Sequence, residues 1–276
     1  MNMKAVRFYH PIFFLILSVT LIISGSLNSQ TNTPTLKAIL IVGSSEDDNE
    51  SNIEEMNKIA DFLVANKVMV HRFYDKKADW EMIKIAAVNA NFFMYSGHGS
   101  TLGENGSSGG LCINSLVNSE QIVSELKLSK NCIVLFNSVC RGAGSSASDT
   151  GDIGLVEATK RVTDYSKPFF QIGVSAYYAN NFSNGTLDFL KYFFSGKSLK
   201  VCFETTLKNW SKIELVKQYE FDKSKQIGIS SFESDSSMNV TTFINGEKTV
   251  KEIQIPKAYN IAFVGDPNFT ITEMFK

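Results

Sequence analysis

The amino-acid sequence predicts an α/β protein with a mostly parallel β-sheet and helices on both of its faces. Short apolar runs alternate with longer amphipathic segments from residue 36 onward. The apolar runs end in glycine, serine or asparagine, as buried strands do where they enter a loop. Each intervening segment is long enough to hold a crossover helix between two parallel strands. Together these observations predict right-handed β–α–β crossovers.

Six strands are predicted from the apolar runs. They are Leu36–Val42, Val68–Phe73, Phe92–Tyr95, Ile133–Asn137, Pro168–Val174 and Ile261–Val264. Six helices are predicted from apolar residues three and four positions apart. They are Ser51–Asn66, Trp80–Val88, Ile122–Leu128, Ile153–Tyr165, Leu187–Phe194 and Leu199–Val216. The segment Ser230–Ile255 is rich in serine, threonine and asparagine, and its Asn245-Gly246 pair indicates a hairpin turn.

Length and composition predict one globular domain with a full core. The chain has 276 residues, a net charge of −1 and 43% hydrophobic residues. A balance so close to neutral gives no reason to expect nucleic acid as a partner. Of the four cysteines, Cys132 and Cys202 lie in apolar segments and are expected in the core.

The first residues resemble an export signal. Lys4 and Arg7 provide a basic start, and Pro11–Ser24 is an apolar run of 14 residues followed by small and polar ones. A run this short is typical of a signal peptide, although an uncleaved anchor remains the alternative. We therefore expect a signal peptide over residues 1–29, a short linker over 30–35 and the folded domain over 36–276. The protein would be secreted or periplasmic, with no stable membrane span after signal removal.

Two reactive side chains follow two successive core strands. The third predicted strand ends in Ser96-Gly97-His98-Gly99, and the fourth is followed by Cys140. Carboxyl ends of parallel strands meet at one edge of a sheet, so a thiol and an imidazole are expected there together. The amides of Gly99 and Cys140 could then bind a developing oxyanion. His71 lies inside a strand pattern and is expected to be an ordinary side chain of the sheet.

These motifs resemble those of the caspase–gingipain–clostripain group of cysteine peptidases, clan CD, which includes CHAT-domain peptidases. The segment Ala258–Pro267 resembles the closing strand of gingipain-like domains, and Pro168–Tyr178 resembles the strand and loop that wall the substrate pocket. The resemblance extends from Leu36 to Phe269. It implies a caspase-like fold with a six-stranded sheet, and a secreted endopeptidase that cleaves proteins or peptides through a Cys140–His98 dyad. It implies no cofactor and no metal ligand.

The resemblance is incomplete in the substrate pocket. Ser138 stands where clostripain-like enzymes have an aspartate that binds a basic P1 side chain, so Arg/Lys specificity is not expected. A small or polar P1 side chain fits Ser138 below and Ser175, Ala176 and Tyr177 at the side.

An acidic segment after the first strand leaves three interpretations open. It contains Glu46, Asp47 and Asp48. These carboxylates could reach into the pocket and bind a basic substrate, or they could bind Ca²⁺ through oxygen ligands. The segment could equally be a solvated loop that leads into a helix whose N-terminus favours negative charge.

Two other functional classes compete with a peptidase. One is a catalytically silent caspase-fold module that binds proteins, which intact Cys140 and His98 disfavour. The other is a nucleotide-binding doubly wound domain. That class is disfavoured because Gly43-Ser44-Ser45-Glu46 follows the first strand in place of a glycine-rich phosphate loop.

Overall fold

The computed structural model has an eight-stranded mixed sheet at its centre, and it describes residues 35–43, 49–233, 237–244, 247–254 and 257–275. The strands are β1 (Lys37–Val42), β2 (Met69–Tyr74), β3 (Phe92–Ser96), β4 (Leu111–Cys112), β5 (Leu116–Val117), β6 (Ile133–Asn137), β7 (Ala176–Asn180), β8 (Ser211–Gln218), β9 (Gln226–Glu233), β10 (Ser237–Ile244), β11 (Glu247–Gln254) and β12 (Lys257–Gly265). The helices are α1 (Glu50–Ala65), α2 (Trp80–Ala86), α3 (Ser119–Glu125), α4 (Gly154–Gln171), α5 (Gly185–Phe194) and α6 (Leu199–Thr206).

The large sheet has a parallel part of five strands and an antiparallel part. Its strand order is β2-β1-β3-β6-β7-β12-β9-β8. The five strands from β2 to β7 run parallel, and β12, β9 and β8 add antiparallel pairs. The prediction of a mostly parallel sheet is confirmed. The predicted number of six strands was wrong, because β8 and β9 extend the sheet to eight.

Helices cover both faces of the sheet, as predicted. Alternate strand residues point to opposite sides, and each side forms its own buried cluster. Helices α1, α5 and α6 pack on the face that contains Leu40, Met94 and Tyr178. Helices α2, α3 and α4 pack on the face that contains Phe93 and Phe136. Cys132 and Cys202 are fully buried, as expected.

Two element predictions were wrong. Pro168–Val174 was expected to be a strand, but residues up to Gln171 form the end of α4, and the strand begins at Ala176. Leu199–Val216 was expected to be one helix, but α6 ends at Thr206 and β8 begins at Ser211. In β8, Ile213 and Leu215 alternate with the charged residues Lys212 and Glu214, which is a strand pattern that the predicted helix wrongly included.

The predicted hairpin is confirmed. Strands β10 and β11 pair antiparallel from Ser237 with Gln254 to Ile244 with Glu247. The two turn residues between them, Asn245 and Gly246, lie outside the described residues. Within the described ranges, no helix has the length and apolar character that a bilayer crossing requires.

Candidate active site

The His98 and Cys140 segments leave the same edge of the sheet. Strands β3 and β6 are direct parallel neighbours, and their last residues, Ser96 and Asn137, are in register. The loop after β3 carries His98, which is exposed, and the loop after β6 carries Cys140, which is half-buried. The predicted meeting of the two strand ends is therefore confirmed.

Gly99 lies directly against the backbone of Cys140. A Cβ atom added at Gly99 would come 1.8 Å from the carbonyl oxygen of Cys140 and 3.0 Å from its Cα. Real Cβ atoms do not approach other atoms so closely, so only glycine fits between the two loops. The close backbone approach that the flanking glycines predicted is present, and Gly97, with a φ of +150°, supplies a conformation that other residues rarely adopt.

Two buried tyrosines hold the loop that carries His98. The Oη of Tyr95 lies 2.9 Å from the carbonyl oxygen of His98 and accepts a hydrogen bond from the amide of Cys112 at 3.2 Å. The amide of Ser100 donates to the Oη of Tyr165 at 2.6 Å. Burial raises the pKa of Tyr95 well above its ordinary value, so its hydroxyl remains a neutral hydrogen-bonding group. These hydrogen bonds fix the backbone at His98 and at Ser100, on either side of Gly99.

Cys140 sits in a tight turn between two residues in the left-handed region. Ser138 has a φ of +55° and Arg141 a φ of +69°. Such conformations cost non-glycine residues about 1 kcal/mol or more, and strain of this kind is concentrated at functional sites. Hydrogen bonds keep the turn in place: the amide of Ser138 donates to the oxygen of Asn180 at 2.8 Å, and the Oη of Tyr177 donates to the oxygen of Gly142 at 2.8 Å.

The two loops that touch at Gly99 and Cys140 contain two backbone amides without an acceptor among the described residues. Among the described residues, no acceptor takes a hydrogen bond from the amide of Gly99 or from that of Cys140. Unpaired amides in a protein interior or cleft are uncommon, because each leaves hydrogen-bonding free energy unused. These are the two amides that the sequence predicted as an oxyanion site.

Cys140 is shared by two clefts. The first, which we term the Asn181 cleft, has a volume of about 510 Å³ and includes Ser138, Asn181, Phe182 and Asn260 in its lining. The second, the Arg141 cleft, has a volume of about 430 Å³ and extends along the loop that carries His98. An extended chain could therefore pass the thiol with one part in each cleft.

Helix α4 anchors the wall that separates the two clefts. Arg161 on α4 donates from Nη1 to both carboxylate oxygens of Asp149 at 2.9 Å and to the carbonyl oxygen of Gly144 at 3.1 Å. The side chains of Arg161 and Asp149 are only 12% and 9% exposed, so this ion pair is largely shielded from water. A second bond joins the Nε of Arg161 to Glu157 at 2.9 Å. The loop after Cys140 is thus tied to the longest helix.

The predicted side wall of the pocket lies elsewhere. Ser175, Ala176 and Tyr177 stand at the amino end of β7, in register with the start of β6, and so at the edge opposite Cys140. The Oγ of Ser175 donates to the oxygen of Lys130 at 2.8 Å. Tyr177 contacts the turn that contains Cys140 through the hydrogen bond from its Oη to the oxygen of Gly142. The displacement follows from the wrong strand assignment over Pro168–Val174, which placed the carboxyl end of the strand too early.

Residues after the carboxyl end of β7 take that position. Asn181 and Phe182 line the Asn181 cleft, together with Phe232 from β9 and Asn260 from β12. Sequence reasoning missed all four of them. A signal was present in the Asn180-Asn181 pair, which ends an apolar run just as Asn137-Ser138 ends β6.

The acidic segment with Glu46, Asp47 and Asp48 lies outside the described residues. Next to it, Asn49 donates to the oxygen of Gly43 at 2.8 Å, and a helix follows, because Glu50 begins α1. Among the described residues, no three His, Cys, Asp or Glu side chains form a group that could hold a metal ion.

No model of a known protein family matches the chain, and no curated protein sequence matches it significantly. Function is therefore inferred from the geometry around Cys140 and from the motifs that resemble clan CD peptidases.

Proposed function

We propose that the chain is a secreted or periplasmic cysteine endopeptidase of caspase-like fold. The observation that carries the proposal is the direct backbone contact between Gly99 and Cys140, which joins two loops that contain two unpaired amides, with Cys140 lining two clefts. The strand order β2-β1-β3-β6-β7-β12, with its last strand antiparallel and helices on both faces, supports the caspase-like fold.

In the proposed reaction Cys140 acts as nucleophile and His98 as acid and base. The thiol transfers its proton to the imidazole and attacks the carbonyl carbon of the scissile peptide bond. The amides of Gly99 and Cys140 stabilise the negative charge that develops on the carbonyl oxygen. The imidazolium protonates the departing amine, leaving a thioester. Water, deprotonated by His98, then hydrolyses the thioester and restores the thiol.

The lining of the Asn181 cleft supports an uncharged P1 side chain. Asp149 is the only carboxylate among its described lining residues, and Arg161 already holds both of its oxygens. Amide and hydroxyl groups of Asn181, Asn260 and Ser138 remain as polar partners. The aromatic rings of Phe182 and Phe232 add apolar surface to the cleft. A small or polar P1 residue therefore suits this cleft better than arginine or lysine does.

The proposal is tested with the purified protein, a cysteine-directed covalent peptidase probe and a peptide library that varies P1. We expect adduct formation and turnover in the wild type, and neither in Cys140→Ala. His98→Ala should reduce turnover by about a hundredfold or more, because it removes the base. His71→Ala is the matched control: His71 lies on the edge strand β2, and its loss should leave the rate within about twofold of the wild type.

The same experiment separates the peptidase from a binding module. A wild-type protein that binds peptides but gives neither adduct nor cleavage would contradict the peptidase and favour the silent caspase-fold module. Full turnover in Cys140→Ala would show that the nucleophile is wrong.

A further inference from the structure

Arg141 brings a positive charge into the Arg141 cleft. Of the described residues that line this cleft, Arg141 is the only charged one. The remaining lining is small, hydroxylic or apolar, and includes Gly99, Ser100, Thr101 and Leu116. A single guanidinium therefore dominates the electrostatic potential of the cleft.

The guanidinium of Arg141 has no partner within the described part of the chain. It makes no ion pair and no side-chain hydrogen bond there. The two other described arginines differ: Arg72 bonds to Asp61 at 3.1 Å, and Arg161 bonds to Asp149 and Glu157. Arginine has five donors in a rigid planar arrangement that fits a carboxylate, so an unpaired one beside a nucleophile has its whole binding capacity available.

Arg141 belongs to the side of its turn that faces the loop carrying His98. It lines the Arg141 cleft together with Gly99, Ser100 and Thr101 from that loop. The described lining of the Asn181 cleft contains Cys140 but not Arg141. The charge of Arg141 is therefore available to a ligand beside the His98 loop rather than to one in the Asn181 cleft.

The backbone at Arg141 disfavours its own side chain. Its φ of +69° is adopted most readily by glycine and asparagine. A glycine or asparagine at this position would relieve the strain. Because glycine and asparagine suit this conformation, Arg141 can be replaced without disturbing the turn, which makes its role accessible to experiment.

We infer that Arg141 binds a carboxylate of the substrate on the leaving-group side of the scissile bond. This inference rests on the proposed function, because His98 must protonate the departing amine and its loop borders the Arg141 cleft. The carboxylate belongs either to an aspartate or glutamate side chain after the scissile bond or to the C-terminus of a short peptide. Both present the same planar anion to the guanidinium, and charge-assisted bidentate pairing of this kind is strong.

The test uses matched pairs of internally quenched peptides. One set carries Glu or Gln at each position after the cleaved bond, with an amidated C-terminus. The other set places a free or an amidated C-terminus at those positions. For wild-type protein we expect kcat/KM to be about tenfold higher for the anionic member of at least one pair. The set that shows the preference identifies the source of the carboxylate.

Variants of Arg141 decide whether that preference comes from this side chain. In Arg141→Asn the preference should fall to within about twofold, while turnover of the neutral peptides persists. Arg141→Lys should keep part of the preference, because it retains the charge without the planar fork. Arg72→Asn removes an arginine far from the cleft and should leave the preference unchanged.

Dissociation constants for the same peptides, measured with Cys140→Ala protein, keep this inference separate from the catalytic proposal. Absence of turnover in the wild type, together with an Arg141-dependent preference for anionic peptides in binding, would refute the peptidase and support the anion site. An anion preference that survives Arg141→Asn, or equal affinity for both members of every pair, would overturn the inference.

Discussion

Gly99 is the residue at which the two loops of the candidate site touch. Its missing side chain sets the separation between the carbonyl of Cys140 and the loop that carries His98. Because two proposed oxyanion donors belong to these two residues, the same contact sets the distance between the donors. A displacement of about 1 Å in such a site can cost about a hundredfold in rate.

We therefore expect Gly99→Ala to fold but to lose activity. The new methyl group would force the loops apart, at a cost of about 1–3 kcal/mol in stability, and should reduce turnover by about a hundredfold or more. Urea unfolding and peptide cleavage measure the two effects. Gly196→Ala is the control: no atom lies within 4 Å of its added Cβ, and its φ of +87° introduces backbone strain alone. It should lose about 1 kcal/mol and keep its activity. Equal activity in the two variants would contradict a steric role for Gly99.

The placement of His98, Cys140 and Gly99 at one edge of the sheet could be predicted from the sequence because each is part of a short motif at the end of an apolar run. Asn181 and Asn260 could not, because their position depends on where β7 and β12 end and which strands they adjoin. The pairing of β12 with β7, which sets Ile261 opposite Asn180, joins segments about eighty residues apart and leaves no local pattern in the sequence.

At the scale of elements, α4 links the core to the wall between the clefts. Its buried residues Ala158, Val162, Tyr165 and Phe169 recur at helical spacing up to the last turn. Pro168 lies inside this helix, although proline normally ends one. The strand predicted from Pro168 and the two phenylalanines after it was wrong, because the helical spacing of the preceding buried residues continues to Phe169.

Removing the positive charge of Arg161 from α4 should destabilise the protein strongly. Arg161→Met leaves Asp149 as an unpaired, largely buried carboxylate, and we expect a loss of about 3 kcal/mol in the free energy of unfolding. The double variant Arg161→Met/Asp149→Asn should recover part of this loss, because it removes the stranded charge. Lys58→Met is the control. Its ion pair with Glu54 is 48% and 66% exposed, so its loss should leave the free energy of unfolding nearly unchanged. Equal losses in Arg161→Met and Lys58→Met, measured by urea unfolding, would contradict the anchoring role.

At the scale of the whole molecule, the sheet contains five parallel strands and three further strands that add antiparallel pairs. The parallel strands β1, β3 and β6 consist mostly of apolar residues, and Ile133–Asn137 was predicted with its observed bounds. Strand β9 is buried over most of its length but contains Ser230 and Ser231, so it resembles a polar loop. The buried serines are accommodated by hydrogen bonds, such as the one between the Oγ of Ser231 and Glu214 at 2.8 Å.

Beyond the site, burial of tyrosines should make the fold sensitive to alkali. Burial raises the pKa of Tyr219 to about 12, against about 10 in an unfolded chain. Between these values the unfolded chain loses a proton that the folded protein keeps, so the free energy of unfolding falls as the pH rises. At pH 11 the contribution of Tyr219 is on the order of 1 kcal/mol.

Tyr219→Phe should therefore lose less stability than the wild type between pH 9 and pH 11. Its hydroxyl lies 3.3 Å from the Oγ of Ser166, which also donates to the oxygen of Thr163, so Ser166 keeps a partner in the variant. Urea unfolding at both pH values measures the difference. Tyr192→Phe, a change at a tyrosine that does not contact Ser166 or Thr163 among the described hydrogen bonds, serves as the control. Parallel losses in wild type and Tyr219→Phe would exclude this tyrosine as the cause.

Strand β12 follows the other seven strands of the large sheet in chain order, yet it lies inside the sheet between β7 and β9. Its Tyr259 exchanges hydrogen bonds with Ser145, just after the turn that contains Cys140, and its Asn260 accepts one from the amide of Asn181. A ribosome must therefore synthesise the chain through β12 before one wall of the cleft beside Cys140 can form. Nascent chains that end before β12 contain both Cys140 and His98 but lack that wall, so translation itself delays the assembly of the cleft.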